Sequence, residues 1–405
     1  MNISSSRSAS GFRRFVVPVV VLLLIGSTLT SGAVNVSAQA APAGIARQTA
    51  PATSSSSKIA APTWSRTAED IQAVIKENRI YYQSGSGLTA ADASTGKTLW
   101  TYPKDSVVPV LLINRSLYTA TKSGKIVKLN AADGKAIWSI KAPARKIQSS
   151  SEDYVLNELH AVGNVIYISD DAGVAQIDAS SGKTIRNFPN LRGKLIGVYQ
   201  NRMIVSTFVS GAYMRGILTA YDAKTGKMIR EFDGDYYEIV GYRDHYAYAH
   251  HIPLGIDNGY GAIIDKIDLK TGRTVKRFNY LPVEYLDRSS SQKIIMFGND
   301  FYIVQYGENS DRIQRIPLDA PSESKPESIY QASDMINDFS ITGSTIAVLL
   351  NNNTTVVSDR KKGTTLASAR TPSDHSVYAF SRLTIEKGKV FVQAKEKIHA
   401  VSISK

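Results

Sequence analysis

Leu88-Thr-Ala-Ala-Asp92-Ala-Ser-Thr-Gly96-Lys97-Thr-Leu-Trp100 is an alternating strand, a tight turn and a second strand, and the chain writes it repeatedly. The same pattern returns as Val127-Lys-Leu-Asn130-Ala-Ala-Asp133-Gly134-Lys135-Ala-Ile-Trp138 and as Ala175-Gln-Ile-Asp178-Ala-Ser-Ser-Gly182-Lys183-Thr-Ile-Arg186. Two more copies follow, Thr219-Ala-Tyr-Asp222-Ala-Lys-Thr-Gly226-Lys227-Met-Ile-Arg230 and Lys266-Ile-Asp268-Leu-Lys-Thr-Gly272-Arg273-Thr-Val-Lys276. In each turn an Asp or Asn side chain bonds the backbone two residues on, and the glycine supplies the positive φ that closes the hairpin. This is local hairpin chemistry, not catalysis.

The turn glycines are 38, 48, 44 and 46 residues apart, the interval of a propeller or solenoid repeat. From Gly272 to Gly363, in Ser358-Asp359-Arg-Lys-Lys-Gly363-Thr-Thr-Leu366, is 91 residues, or two periods. The copy between them is worn: Arg315-Ile-Pro-Leu318-Asp319-Ala-Pro321 keeps the strand and the Asp but replaces the glycine turn with a Pro/Ser-rich loop. Upstream of each turn lies another strand pair, such as 108–113 with 117–121 and 239–242 with 246–249, so each repeat holds four short strands. Four strands per repeat of this length make a propeller blade, and a closed ring of blades leaves only short sheet edges.

The ends fix the count. After Gly363 come three strands, 378–385, 389–393 and 398–404, with the fourth missing. At the other end Ile59–Trp64 precedes the first strand of blade one, 71–75, and has no blade of its own. The expectation is an all-β fold, an eight-bladed propeller of four-stranded antiparallel blades, with Ile59–Trp64 completing the last blade. Trp64, Trp100 and Trp138 then share one structural role, docking each blade on the next.

These repeats resemble the PQQ-like, quinoprotein-type eight-bladed propellers, whose motif reads Ala-x-Asp-x-x-Thr-Gly-Lys-x-x-Trp. Ala90–Trp100 matches it best and Asn130–Trp138 in part, while blades three to five carry Arg or Lys for the Trp. In that family the Trp packs between neighbouring blades, in keeping with its large apolar area and polar N–H. The resemblance covers residues 58–405. Quinoprotein alcohol dehydrogenases of the family carry a vicinal disulfide beside the quinone and a calcium held by Glu, Asn and Asp; this chain has no cysteine and is shorter. The reading is therefore no cofactor, no metal and no catalytic residue. By size and repeat the chain is also similar to the propeller lipoprotein of the outer-membrane β-barrel assembly machinery, but it lacks the lipobox cysteine.

Arg7, Arg13 and Arg14 precede the apolar run Phe15–Ile25, and Ala38-Gln39-Ala40 has the small-x-small form of a signal-peptidase site. The run is short for a bilayer span. Residues 1–40 read as a secretory signal, with an uncleaved anchor as the alternative, and residues 41–57, rich in Ala, Pro, Ser and Thr, as a disordered linker. The expected location is extracytoplasmic: secreted, wall-associated or at a membrane surface, without a stable transmembrane span once the signal is removed, and as a monomer. Removing three arginines lowers the formal charge from +13 to +10. A basic exported surface favours anionic partners through its summed field. No nucleic-acid module is present, so the partner classes are a protein or an anionic cell-wall polymer or polysaccharide. Lys97, Lys135, Lys183, Lys227 and Arg273 follow the glycine turns, where they solvate the outer hairpins or form a polyanion-binding ring.

Loop lengths point to one face. Three consecutive blades enlarge the loop between second and third strands, with Tyr213 and Arg215, then Asp257, Asn258 and Tyr260, then Asn309 and Arg312; Tyr236 and Tyr237 follow the adjoining blade connection. Tyr gives rigid amphipathic area and its polar neighbours give adaptable hydrogen bonds. These nine residues are the expected binding face of blades four to six, in a non-catalytic binding or scaffold propeller; the alternative is a redox enzyme or sensor with a ligand in the central channel. Innermost strands such as 107–113 and 195–199 read as mostly aliphatic, against that alternative. His245, His250 and His251 do not converge on one metal, because strand alternation separates them. His160 reads as an interior or channel residue, and Asp170 with Asp171 as a turn cap or a calcium ligand pair.

Overall fold

A computed structural model describes residues 61–402 apart from 70–72, 86, 104–105, 144–155, 171–172, 192, 210–214, 252–261, 281–292, 306–310, 322–323, 372–380 and 395. The signal and linker segments and the loop residues Tyr213, Asp257, Asn258, Tyr260 and Asn309 lie outside the described residues.

The described strands form eight four-stranded antiparallel sheets, each built from consecutive strands except the last. Blade one spans 74–102, two 106–141, three 156–188, four 194–231, five 236–280, six 294–331 and seven 336–370. Blade eight joins Ser381–Glu386, Lys389–Ala394 and Lys397–Ser402 to the amino-terminal strand Trp64–Thr67, which pairs antiparallel with the third of them. The closing strand thus begins at Trp64, where the sequence reading had ended it. The register explains the shift: Trp64 faces Ala400 and Thr67 faces Lys397, so the strand runs on along the full open edge. The first strand of blade one is correspondingly Val74–Lys76. Blade six is complete despite its worn turn, because Arg312–Pro317 buries Ile313 on one face and Ile316 on the other and pairs with Glu327–Gln331.

Antiparallel order puts two kinds of connection at opposite ends of every blade. Turns between strands one and two and between strands three and four share the hairpin end; loops between strands two and three, and the passages to the next blade, share the loop end. At the hairpin end the two turns are tied together by backbone bonds repeated blade after blade, Ala93 N–H to Asn78 O, Ala131 to Arg115, Ala179 to Asn164 and Ala223 to Asn201, at 2.8 to 3.0 Å.

The core is not central. Among the described residues eight apolar clusters form, each joining the facing sheets of two adjacent blades. Blades one and two share Tyr81, Leu88, Leu117 and Leu129, for example, and blades eight and one share Phe391, Ile398, Ile80 and Ala91. A buried side chain of this size is worth about 1.5–3 kcal/mol, so every junction contributes and an unclosed ring would forfeit one whole junction.

The three tryptophans occupy equivalent places. Trp64, Trp100 and Trp138 donate their indole N–H to Ala93, Ala131 and Ala179 O of the next blade at 3.2, 3.1 and 3.3 Å. Each ring sits about 6 Å from an aromatic of its own blade, Phe391, Tyr81 or Tyr118. Each also covers the turn glycine ahead, Gly96, Gly134 or Gly182. Later blades keep the contact with other chemistry: Phe188 covers Gly226, the Arg230 stem covers Gly272, and Lys276 reaches Ala320 O at 2.8 Å.

Candidate functional site

The loop end of blades four to six is organised around a buried carboxylate. Asp265, on the third strand of blade five, has no exposed surface. Its neighbours on the same sheet face are Arg277 across one strand pair and Ala249 across the other, with Tyr236 and His251 paired one step closer to the loops. Arg277 grips it with two parallel bonds, Nε to Oδ1 at 2.7 Å and Nη2 to Oδ2 at 2.8 Å. The Tyr236 hydroxyl lies 3.2 Å from Oδ2 and donates to Asp233 O at 2.7 Å; His251 Nδ1 lies 3.6 Å from Oδ2.

The electrostatics follow from that arrangement. Hydrogen bonding to Asp265 raises the Arg277 guanidinium further above its usual range, and burial pushes the Tyr236 hydroxyl well up. For His251 burial lowers the imidazole, partly offset by Asp265. His250, on the other face, is pushed down to about 4 by burial, so it is neutral at physiological pH. Arg277 remains half-exposed. A bidentate pair of this kind fixes a guanidinium in one orientation, leaving a rigid donor beside the connection that starts from His251.

Of the nine residues expected to form the binding face, five lie outside the described residues. Arg215 and Tyr237 are placed on strands, at the start of 215–222 and at the second position of 236–243. Arg312 is exposed at the loop end of blade six, opposite Gln305. Tyr236 is fully buried. It fixes the base of the loop region through Asp233, Asp265 and Thr274 instead of offering a surface, because its phenol reaches across the second strand to the buried acid on the third.

The hub differs from its expected aliphatic character. In blades three, four, five, seven and eight the first-strand residue level with the fifth residue of the second strand is charged, Glu158, Lys194, Glu238, Asp338 and Arg382, and Lys293 immediately precedes the first strand of blade six, so the sign alternates around the hub. Lys194 Nζ meets Glu158 at 2.7 Å, and Lys293 pairs with Asp338 and donates to Phe339 O at 2.8 Å. Asp338 in turn accepts the Leu383 N–H of blade eight at 2.6 Å. Burial raises the carboxyls of Glu238 and Asp338, with lysines pulling them back. Glu238 keeps an exposed surface, while Asp338 is 6 % exposed. Each ring residue stands alone at the end of an apolar strand, so no local motif marks it; only alignment of the blades in register would have exposed the alternation. His160 Nε2 donates to Leu195 O at 2.7 Å, bridging blades three and four. Among the described residues no three His, Cys, Asp or Glu converge as a metal site.

Comparison with known proteins finds similarity to PQQ-like repeat propellers. A family model described as outer membrane protein assembly factor BamB matches residues 47–232. Quinoprotein alcohol dehydrogenase PedH of Pseudomonas putida is 28% identical over 163 residues, covering 35% of this chain and 27% of PedH. Serine/threonine-protein kinase AfsK of Streptomyces coelicolor is 26% identical over 116 residues, covering 28% and 14%. The chain thus matches only a minor part of each of these relatives. Among solved structures, BamB from Moraxella catarrhalis superposes with a TM-score of 0.51 at 17% identity, covering 84% of this chain and 96% of that one. Quinohemoprotein alcohol dehydrogenase from Comamonas testosteroni gives 0.51 at 13%, covering 84% and 76%, and the computationally designed Ika8 protein 0.58 at 12%, covering 85% and 99%. These likenesses establish the eight-bladed fold and leave the activity to the chain's own residues.

Proposed function

We propose that this PQQ-like repeat propeller is an extracytoplasmic, non-catalytic binding or scaffold module that presents the loop end of blades four to six to a protein partner. The observation that carries the reading is the Asp265 network: a fully buried carboxylate that holds Arg277 at two points and anchors Tyr236 where the enlarged blade-five loop departs. Strand-mounted groups held in this way bind with little ordering entropy to lose. The signal-like amino terminus and the similarity to an outer membrane protein assembly factor support a place in the cell envelope. Charge selects between the two partner classes. Connections at the loop end carry sixteen acidic and eight basic residues, which suits a basic protein surface better than an anionic wall polymer.

Affinity capture from cell envelopes tests this reading. The variant Tyr213→Ala/Tyr260→Ala/Arg312→Ala is expected to lose the captured protein while keeping its melting temperature; unchanged capture would remove the loop end from consideration. The hub charges favour a second reading, a redox enzyme or sensor with a ligand in the central channel. Incubation with PQQ and calcium separates the two, since a stoichiometric quinone chromophore with dye-linked activity would establish the second.

A further inference from the structure

The two ends of the ring carry opposite charge. Counted between the strands, the loop-end connections sum to a formal −8, whereas the hairpin turns hold thirteen basic and five acidic residues, a formal +8. The aspartates that end the third strands, Asp92, Asp178, Asp222, Asp268 and Asp359, belong to the hairpin end too and lower its formal sum to +3, still opposite in sign to the loop end, but their carboxylates are bonded within their own turns. Asp178 accepts the Ser180 and Ser181 hydroxyls and both backbone N–H groups, and Asp222 and Asp359 accept the N–H groups of their own turns. Those bonds hold the carboxylates below their usual range. The turn cations stay free: Lys224, Lys227, Lys270, Arg273, Lys361 and Lys362 make no ion pair among the described residues, and Lys135 makes a loose one to Asp133 at 3.6 Å.

Apolar side chains stand among these cations. Met228, Ile137 and Val275 are 63%, 53% and 52% exposed, two or three residues past the turn glycines of blades four, two and five. The chain also enters the ring at this end. Trp64 pairs with Ala400 near the carboxyl end of its partner strand and lies over Gly96 in the blade-one turn, so the closing strand begins on the hairpin side.

We propose that the hairpin-turn end is a docking face for an anionic lipid bilayer, which leaves the acidic loop end pointing away from the membrane. Anionic leaflets attract basic residues only within about a Debye length of the surface, roughly 8–10 Å. The distribution between the two ends therefore decides orientation more than the net charge does. One end is drawn to the surface and the other is repelled. Exposed Met, Ile and Val beside lysine match the composition that seats on a headgroup boundary, and they have no use against a soluble polyanion. This proposal stands independently of the loop-end partner, which engages the opposite face.

Vesicle flotation of the full chain provides the test, comparing phosphatidylcholine alone with phosphatidylcholine containing about a third phosphatidylglycerol. Any contribution of the apolar amino-terminal run is common to both. Binding is expected to be about a hundredfold tighter to the anionic vesicles, and Lys227→Glu/Lys270→Glu/Lys362→Glu is expected to abolish that preference. The loop-end control Lys104→Glu/Lys122→Glu/Arg192→Glu should keep it. Lys→Gln at the same three hairpin positions serves if charge reversal impairs folding, judged by thermal melting. Ile137→Ser/Met228→Ser/Val275→Ser should weaken vesicle binding as well. Equal binding to both vesicles, equal loss in the loop-end control, or indifference to the serine variant, which marks a general polyanion site, would each overturn the proposal.

Discussion

Trp100 lies against Gly134 so closely that a Cβ on the glycine would meet the indole at 2.6 Å. Gly134 also has a φ of +72°, in the left-handed region. Sterics and backbone conformation therefore demand glycine at one position for two separate reasons, and the tryptophan uses the space that the missing side chain leaves. Gly134→Ala is expected to destabilise by about 2–4 kcal/mol, combining overpacking with a strained backbone. Trp100→Ala should cost about 3–5 kcal/mol, the range for truncating a large aromatic. Because the two changes relieve and remove the same contact, chemical denaturation of the double variant should show a loss smaller than the sum.

The Asp265–Arg277 pair predicts an asymmetry between its partners. Arg277→Ala leaves a fully buried carboxylate with only the Tyr236 hydroxyl and His251 beside it, at a cost of about 3–5 kcal/mol. Asp265→Ala should cost less, since the half-exposed Arg277 can turn to water. In the Arg277→Ala variant the guanidinium no longer depresses His251, so the imidazole can charge and compensate the carboxylate. Being less depressed, His251 costs the variant less than the parent as pH falls, so the variant's deficit should shrink on acidification towards pH 5.5. Thermal unfolding of both variants at two pH values checks the order and the trend.

His250 predicts a pH dependence of the native protein. An unfolded histidine protonates near 6.5, but the folded one only near 4. Stability from the buried neutral ring is therefore fully present above pH 6.5 and disappears as pH falls to about 4, a change of about 3 kcal/mol. Glu238 and Asp338, raised by burial, work in the opposite sense and gain as they protonate. His250→Asn should flatten the stability profile between pH 6.5 and 4 in urea titrations; an unaltered slope would show that His250 is not the group responsible.

The turn glycines made the blades legible because each repeat must solve the same local problem, a positive φ beside an Asp that caps the turn. Closure was legible for a similar reason: Trp64 repeated the residue type of Trp100 and Trp138 in the absence of a blade around it. Its strand boundary was not, since pairing with residues more than three hundred positions away sets the end of that strand. Tyr236 looked like a surface aromatic because sequence cannot tell a loop tyrosine from the first residue of a strand facing a buried acid. The alternating hub charges were hidden by distance along the chain, with one residue per blade and a blade interval that varies.

Everything described for the two ends depends on one closed ring, and Ser65 opposite His399 tests that directly. The pair faces across the closing strands with Ser65 Oγ 2.7 Å from His399 Nδ1, and the chain contains no cysteine. Side chains this close fall within reach of a disulfide once both are cysteine. Ser65→Cys/His399→Cys is predicted to oxidise to a single intramolecular crosslink, migrating as a cyclic species without reductant and melting at a higher temperature. Two free thiols in a folded protein under the same oxidising conditions would contradict closure by the amino-terminal strand.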